Sequence, residues 1–243
     1  MRLQGRAVLG SLAERDGDLV ERMDDPDCDI DTLYRTYANF RTVNGLLAGW
    51  RRTYLSHLRP EFTDSRHTLL DIGAGGGDVA RALIRWARAD GVELRITAID
   101  PDPRAAGYVG TIPAVDGYEH RQCSSTELAD DGARFDFVVS NHVLHHLTAA
   151  ELGAVLADST RLARIAVVHS DIRRSVAAYV LYGIFTSVAF RRSFIREDGL
   201  LSIRRSYRAD ELAAVVPSGW VVAVQFPHRV VLSRRQAARD SRG

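Results

Sequence analysis

The chain has 243 residues, 46% of them apolar and 26% charged, a globular balance with enough length to bury a core without metal or disulfide staples. Its 32 basic and 31 acidic residues leave a formal charge of +1, which argues against a polyelectrolyte grip on nucleic acid. Every basic residue is arginine, so Schiff-base, P-loop and kinase-type lysine chemistry is excluded.

Residues 1–18 carry Arg, Glu and Asp too early for a signal peptide. Cys28 and Cys123 lack C-x-x-C spacing and read as a reduced pair. The longest uncharged run, Ser175 to Phe190, falls short of the ~20 residues a spanning helix needs. The expectation is a soluble, cytoplasmic protein.

Within residues 14–60, Leu33, Tyr37, Phe40, Asn44, Leu47 and Arg51 recur at steps of three and four, which predicts helix. Pro60 closes this segment, and residues 1–65 read as a helical N-terminal lid. From 66 to 243 the pattern becomes a core of short β-rich runs alternating with helices: HTLLDI, GDVARALIRWARAD, LRITAID, EHRQC, FDFVVSN and RIAVVHS. Such alternation predicts an α/β, doubly wound, mostly parallel sheet. Thr148 and Glu151 form a capping box before the helix after the fourth strand, with Leu147 and Leu152 as its hydrophobic staple. An insertion at about 172–208 follows the fifth strand. Within it, Arg196 to Tyr207 reads as a turn and a re-entry strand, whose Arg204–Arg205 pair reads chiefly as solvated charge. A helix at Asp210–Val216, a hairpin turning at Pro227-His228 and a charged tail end the chain.

The run Leu69 to Ala80 is strand, glycine loop, helix. Counted from Gly75 it matches the dinucleotide fingerprint G-x-G-x-x-A. Counted from Asp71 it is D-x-G-x-G-x-G through Gly73, Gly75 and Gly77. Charge separates the two readings. Asp71 and Asp78 would repel a diphosphate but favour the ammonium and sulfonium of S-adenosylmethionine. Asp100, ending the second strand before Pro101, suits a ribose diol or the N-cap of the next turn. Ser124, Ser125 and Thr126 offer small hydroxyls where an adenine edge would lie.

Together, D-I-G-A-G-G-G, A-I-D-P and F-D-F-V-V-S-N-H-V-L-H-H-L, in this order and spacing, resemble class I S-adenosylmethionine-dependent methyltransferases. The fourth-strand run is similar to that of the small-molecule group that includes ubiquinone- and menaquinone-biosynthesis enzymes. The resemblance covers roughly residues 66–170 and implies a seven-stranded sheet with the cofactor across its carboxyl strand ends. It implies that Asp71, Gly73, Ala74 and Gly75 line the methionine end and that Asp100 holds the ribose. Ser124 or Ser125 would lie on the adenine side, and Asn141 and His142 in the loop under the sulfonium. Family members often carry an acid beside the adenine, where this chain has Ser-Ser-Thr.

A phenolic acceptor must lose a proton, and histidine titrates nearest neutrality. The candidate bases are His169, read as following the fifth strand at the sheet's carboxyl edge, with Asp171 to orient it, and the adjacent His145 and His146, whose side chains are expected to diverge. No metal-ligand set is read from the spacing. The apolar segment 175–190 reads as a lid over a small hydrophobic acceptor, with Tyr179, Tyr182 and Phe185 as liners and Tyr34, Tyr37, Phe40 and Asn44 as the opposite wall. Arg191, Arg192 and Arg196 beside it leave membrane-surface contact open, and a homodimer face is open too. The expected activity is O-methylation of a phenolic or polyketide-like compound. Its rivals are C-methylation of a quinol-type ring, a nicotinamide-dependent oxidoreductase and a non-catalytic cofactor-binding scaffold.

Overall fold

The computed structural model describes residues 12–188, 190 and 192–236. Expectations for residues 1–11, for Arg191 and for the tail from 237 onward lie outside the described residues. The lead helix α1 (Ile30–Leu47) starts at Asp29, whose carboxylate accepts from Thr32 N at 2.8 Å and satisfies one of the free N–H groups of the first turn. It buries Leu33, Thr36, Tyr37 and Val43. A second helical stretch follows as Trp50–Thr53, Tyr54–Leu58 and Arg59–Glu61, and it stops at the turn holding Pro60.

Seven strands form one sheet: β1 (Arg66–Ile72), β2 (Glu93–Ile99), β3 (Tyr118–Arg121), β4 (Phe135–Asn141), β5 (Ala163–Ile172), β6 (Val221–Gln225) and β7 (Arg229–Arg235), in the order β3-β2-β1-β4-β5-β7-β6. β1 to β5 pair in parallel, and β7 runs antiparallel to both β5 and β6. The fold is therefore the doubly wound sheet expected, with the terminal hairpin supplying its antiparallel member.

Alternation within the strands builds two cores. Leu69, Ile96, Phe137, Val139 and Val168 face α2 (Asp78–Ala89), which presents Val79, Ala80, Leu83, Ile84 and Ala87 at helical spacing. On the other face Leu70, Ile72, Ile99, Val138 and Val167 meet Leu128 and Ala129 of α4 (Ser125–Asp130) and Leu162 of α5 (Ala149–Leu162). The helix between these, α3 (Pro103–Gly110), packs Ala105 and Tyr108 against Leu33 and Tyr37 of α1. Each fully buried Leu or Phe of this kind contributes roughly 1.5–3 kcal/mol. At α5, Thr148 and Glu151 make the expected reciprocal cap, with Leu147 packed against the cluster that holds Leu152.

Two expectations are corrected in the insertion region. β5 runs on to Ile172, so His169 lies inside the strand and not beyond it. Arg196 to Tyr207 is no strand: α7 (Ile195–Arg205) follows α6 (Val176–Val188), and α8 (Ala209–Val215) comes next. The buried positions Ile195, Asp198, Ser202 and Arg205 share one helical face. Gly199 leaves room for the Tyr182 ring, whose hydroxyl donates to Ile195 O at 2.6 Å. Both cysteines are free. Among the described residues no helix is long and apolar enough to cross a membrane.

Candidate active site

Where the strand order reverses between β1 and β4, a cavity of about 980 Å³ opens outside the carboxyl strand ends, the usual ligand position in open α/β sheets. Asp71, Gly73, Ala74, Gly75, Asp100, Pro101, Ser124, Ser125, Asn141 and His142 all line it, as do His145 and His146. His169 does not.

The glycine loop enters under tight constraint. Gly73 has φ +65°, and a Cβ there would sit 2.6 Å from Val143 Cγ2, so a side chain meets both strain and collision. Asp71 is buried, and its Oδ1 has no hydrogen-bond partner. Burial, then the charges of Asp78 and Asp100, push its carboxyl well above the ordinary range. Asp78, held by Asn44 Nδ2 at 3.1 Å, is pushed up to about 6, mainly by burial. Asp100 is raised by burial as well, while its oxygens accept from Gly75 N and Asp102 N, each at 2.9 Å. The helix N-cap considered for Asp100 is instead Asp102, which accepts from Arg104 N at 2.8 Å. Three crowded carboxyls with an unsatisfied oxygen make a cavity wall that favours a cation.

The serine segment is committed elsewhere. Ser124 caps α4 with Glu127, and the hydroxyls of Ser125 and Thr126 both donate to Asp158 Oδ2.

At the fourth-strand loop, Arg229 was invisible to sequence reasoning. This fully buried residue opens β7 and donates to Asn141 Oδ1 at 2.8 Å, to His142 Nε2 at 3.0 Å and to Ser170 Oγ at 3.1 Å. Burial, reinforced by this guanidinium, holds His142 well below the usual imidazole range. With Nε2 accepting, its proton belongs on Nδ1.

The two adjacent histidines do not diverge. The 3₁₀ turn Leu144–His146 brings their rings to 4.2 Å and 35°, and both turn toward Glu21 from the lead segment. His145 Nδ1 lies 2.7 Å from Asp171 Oδ1 and its Nε2 3.3 Å from Glu21 Oε1. Burial pulls its pKa down, but the two carboxylates more than offset this and hold it at about 9. His146 Nδ1 lies 3.2 Å from Asp24 Oδ2, and its Nε2 lies 3.9 Å from Glu21 Oε1. Neither Glu21 nor Asp24 carried a local signal. Arg205, expected to be solvated, is buried beside them, with Nη1 3.4 Å from Asp24 Oδ2 and 3.8 Å from Glu21 Oε1.

His169 is sealed in the sheet. Its Nδ1 lies 2.8 Å from Ser140 Oγ, its ring stacks on Trp220, and burial lowers its pKa to about 4. Asp171 orients His145 instead. The expectation of His169 as the base is corrected: it has no face on the cavity, because β5 continues and tucks it between β4 and Trp220. Of the expected acceptor liners, Tyr37, Phe40, Asn44, Tyr182 and Phe185 reach the cavity. Tyr34 packs edge-on against Tyr108, and Tyr179 packs in the cluster of Leu12, Ala178 and Ile203.

Comparison with known proteins gives the same outline. The family model described as "Methyltransferase domain" matches residues 47–175. Over 85 residues, 34% of this chain, the sequence is 31% identical to a ubiquinone biosynthesis O-methyltransferase of Rhizobium leguminosarum bv. trifolii (strain WSM2304). That match spans about a third, 31%, of the relative's length. Among solved structures, the plantazolicin methyltransferase BpumL in complex with SAH superposes with TM-score 0.62 at 12% identity, covering 96% of this chain and 95% of that one. The magnesium protoporphyrin IX methyltransferase ChlM of Synechocystis PCC 6803 with bound SAH gives 0.50 at 14% identity, covering 83% and 98%. At such identities the likeness is one of fold.

Proposed function

The chain belongs to the methyltransferase-domain family, and from that premise we propose that it uses S-adenosylmethionine to methylate an oxygen of a small, apolar, phenolic or polyketide-like acceptor. The observation that carries this reading is one cavity lined by two polar groups. The first is the orphan carboxyl of Asp71 with Asp78 and Asp100, the second is Glu21, Asp24, His145 and His146, and apolar side chains complete the lining. The first group fits the cofactor: a buried, unpartnered carboxyl oxygen and a glycine bend with no room for side chains suit an ammonium and a sulfonium, and disfavour a diphosphate. When bound, the cofactor supplies a methyl group on a positively charged sulfur, an electrophile with a good leaving group.

The protein's part is then position and proton management. Asp71, Gly73, Ala74 and Gly75 would hold the methionine end, and Asp100 with Pro101 the ribose. Ser124 and Ser125, their hydroxyls committed, would give the adenine a backbone edge. Asn141 and His142, fixed by Arg229, would floor the reacting centre. Phe40, Leu47, Leu181, Phe185 and Phe226 line an apolar approach suited to a ring or chain. At the group formed by Glu21, Asp24, His145 and His146, His146, with its Nδ1 on Asp24, would take the proton of the acceptor hydroxyl at Nε2 and leave an oxygen nucleophile facing the methyl donor.

Calorimetry with S-adenosylmethionine, S-adenosylhomocysteine and NADH, followed by mass spectrometry of a phenol and polyketide panel, tests this. Micromolar binding of the first two and an O-methylated product are expected. NADH binding without the others overturns the cofactor assignment. Cofactor binding with no product across the panel overturns the acceptor class.

A further inference from the structure

The lead segment and the 3₁₀ turn together build something that neither the fold nor the methyl donor requires. Glu21, His145 and His146 each offer one ligand atom, all within 4.8 Å of one another, and Glu21 Oε1 lies 3.3 Å from His145 Nε2 and 3.9 Å from His146 Nε2. Ligand atoms around a metal held by bonds of about 2.1 Å are separated by roughly 3.0–3.4 Å, so a small contraction makes this a coordination face. Behind it, each imidazole has its other nitrogen on a carboxylate: His145 Nδ1 on Asp171 at 2.7 Å and His146 Nδ1 on Asp24 at 3.2 Å. Metal-binding histidines are oriented and made more basic in this way. Buried His145 Nε2 makes no hydrogen bond of good geometry despite its nearness to Glu21. We propose that Glu21, His145 and His146 form a binding site for a first-row divalent transition-metal ion in the wall of the cavity.

A second grouping, His142, His145 and Asp171, does not compete. Arg229 already donates to His142 Nε2, and the His145 Nδ1 proton is engaged by Asp171. The surroundings of the first set are mixed in charge. Ser202 Oγ donates to Glu21 Oε1 at 2.8 Å, which leaves the carboxylate further lone pairs. Arg205 stands 3.8 Å from the same oxygen and is the nearest cation an incoming ion must tolerate. Two imidazoles and one carboxylate suit Zn²⁺, Co²⁺ or Fe²⁺ better than Mg²⁺ or Ca²⁺. All three ligands line the cavity, so open coordination positions would face the acceptor. The functional reading above bears only on what such an ion would do: hold an acceptor hydroxyl and lower its pKa, the proton leaving to water.

The test uses the full chain, stripped with a chelator and dialysed, then titrated with Co²⁺ while visible absorption and bound metal are measured. One Co²⁺ per chain with d–d bands of nitrogen and oxygen ligation is expected. Glu21→Gln and His146→Gln should each weaken binding at least tenfold, with the dissociation constant for S-adenosylmethionine unchanged as the check on folding. Should Glu21→Gln fail to fold, His146→Gln at the partly exposed ligand decides alone. No stoichiometric Co²⁺ or Zn²⁺ below millimolar concentration, or equal affinity in wild type and variants, overturns the site and leaves a proton-linked His145–Glu21 pair. Failure of wild-type S-adenosylmethionine binding would overturn the functional reading and leave the metal result standing.

Discussion

Asp171 grips His145 twice: its Oδ1 meets Nδ1 of the ring at 2.7 Å, and its Oδ2 accepts from the backbone N–H of the same residue at 2.9 Å. One carboxylate at the end of β5 thus fixes both the 3₁₀ turn and the imidazole it carries. All of these groups are buried, and the imidazole in turn holds Asp171 far below the usual carboxylate range against its burial. Removing one partner of such a pair leaves an uncompensated buried group and costs about 3–5 kcal/mol. Asp171→Asn retains the shape but loses the charge. It should lower stability by about 2 kcal/mol or more and bring the His145 resonance in an NMR pH titration down from about 9. An unmoved His145 titration would remove Asp171 as its partner.

Asp71→Asn should separate stability from function. The wild-type carboxyl is crowded by burial and by Asp78 and Asp100, so the neutral amide relieves repulsion in the apo protein and should raise its Tm. The same change removes the charge that attracts a cationic ligand and should weaken S-adenosylmethionine tenfold or more, about 1.4 kcal/mol. Thermal scans with and without ligand read both effects. A lower apo Tm, or undiminished affinity, contradicts the assignment.

Asp78 gives a pH signature. Its folded pKa is near 6 against about 3.9 in an unfolded chain, so folding favours the protonated form. The stabilising contribution is complete below the unfolded value and is lost as pH rises through the folded one. Asp78→Asn should therefore stabilise the apo protein relative to wild type by on the order of 1–2 kcal/mol at pH 7.5, with the gap narrowing toward pH 4.5. Denaturant midpoints at the two pH values measure this. A gap that widens on acidification has the wrong sign.

The sheet was legible because its signals are local. β-rich runs, glycine bends and the Thr148–Glu151 cap each declare themselves within a few residues. The residues from Asp71 to His142 that line the cavity sit in those same short runs. What escaped reading depends on distant chain. Glu21 and Asp24 matter only because the lead segment folds across His145 and His146, and Arg229 only because β7 inserts beside β5. α7 was misread because Gly-Leu-Leu-Ser-Ile resembles a strand unless Asp198 and Arg205 are counted among its buried face. For His169 a strand boundary was placed a few residues early, which turned a buried position into an apparent ligand.

Asp100→Ala removes the acceptor oxygens that Gly75 N and Asp102 N now engage. Losing charge-assisted hydrogen bonds to the loop and to a ribose should weaken S-adenosylmethionine by about 1–3 kcal/mol. Calorimetry checks it, and an unchanged dissociation constant takes Asp100 out of the cofactor site.

Gly73 and Val143 offer a cycle that divides two causes. An alanine Cβ at Gly73 would lie 2.6 Å from Val143 Cγ2, and the backbone there has φ +65°. The left-handed conformation costs a non-glycine residue about 1–2 kcal/mol, and the collision adds to it. Gly73→Ala should destabilise the protein and impair ligand binding, since the loop must move away from Val143. Adding Val143→Ala removes the collision but leaves the strained φ, so the double variant should regain part, not all, of the lost stability. Full recovery would mean that the bend tolerates any residue. No recovery would mean that φ alone makes position 73 glycine, with Val143 irrelevant to it.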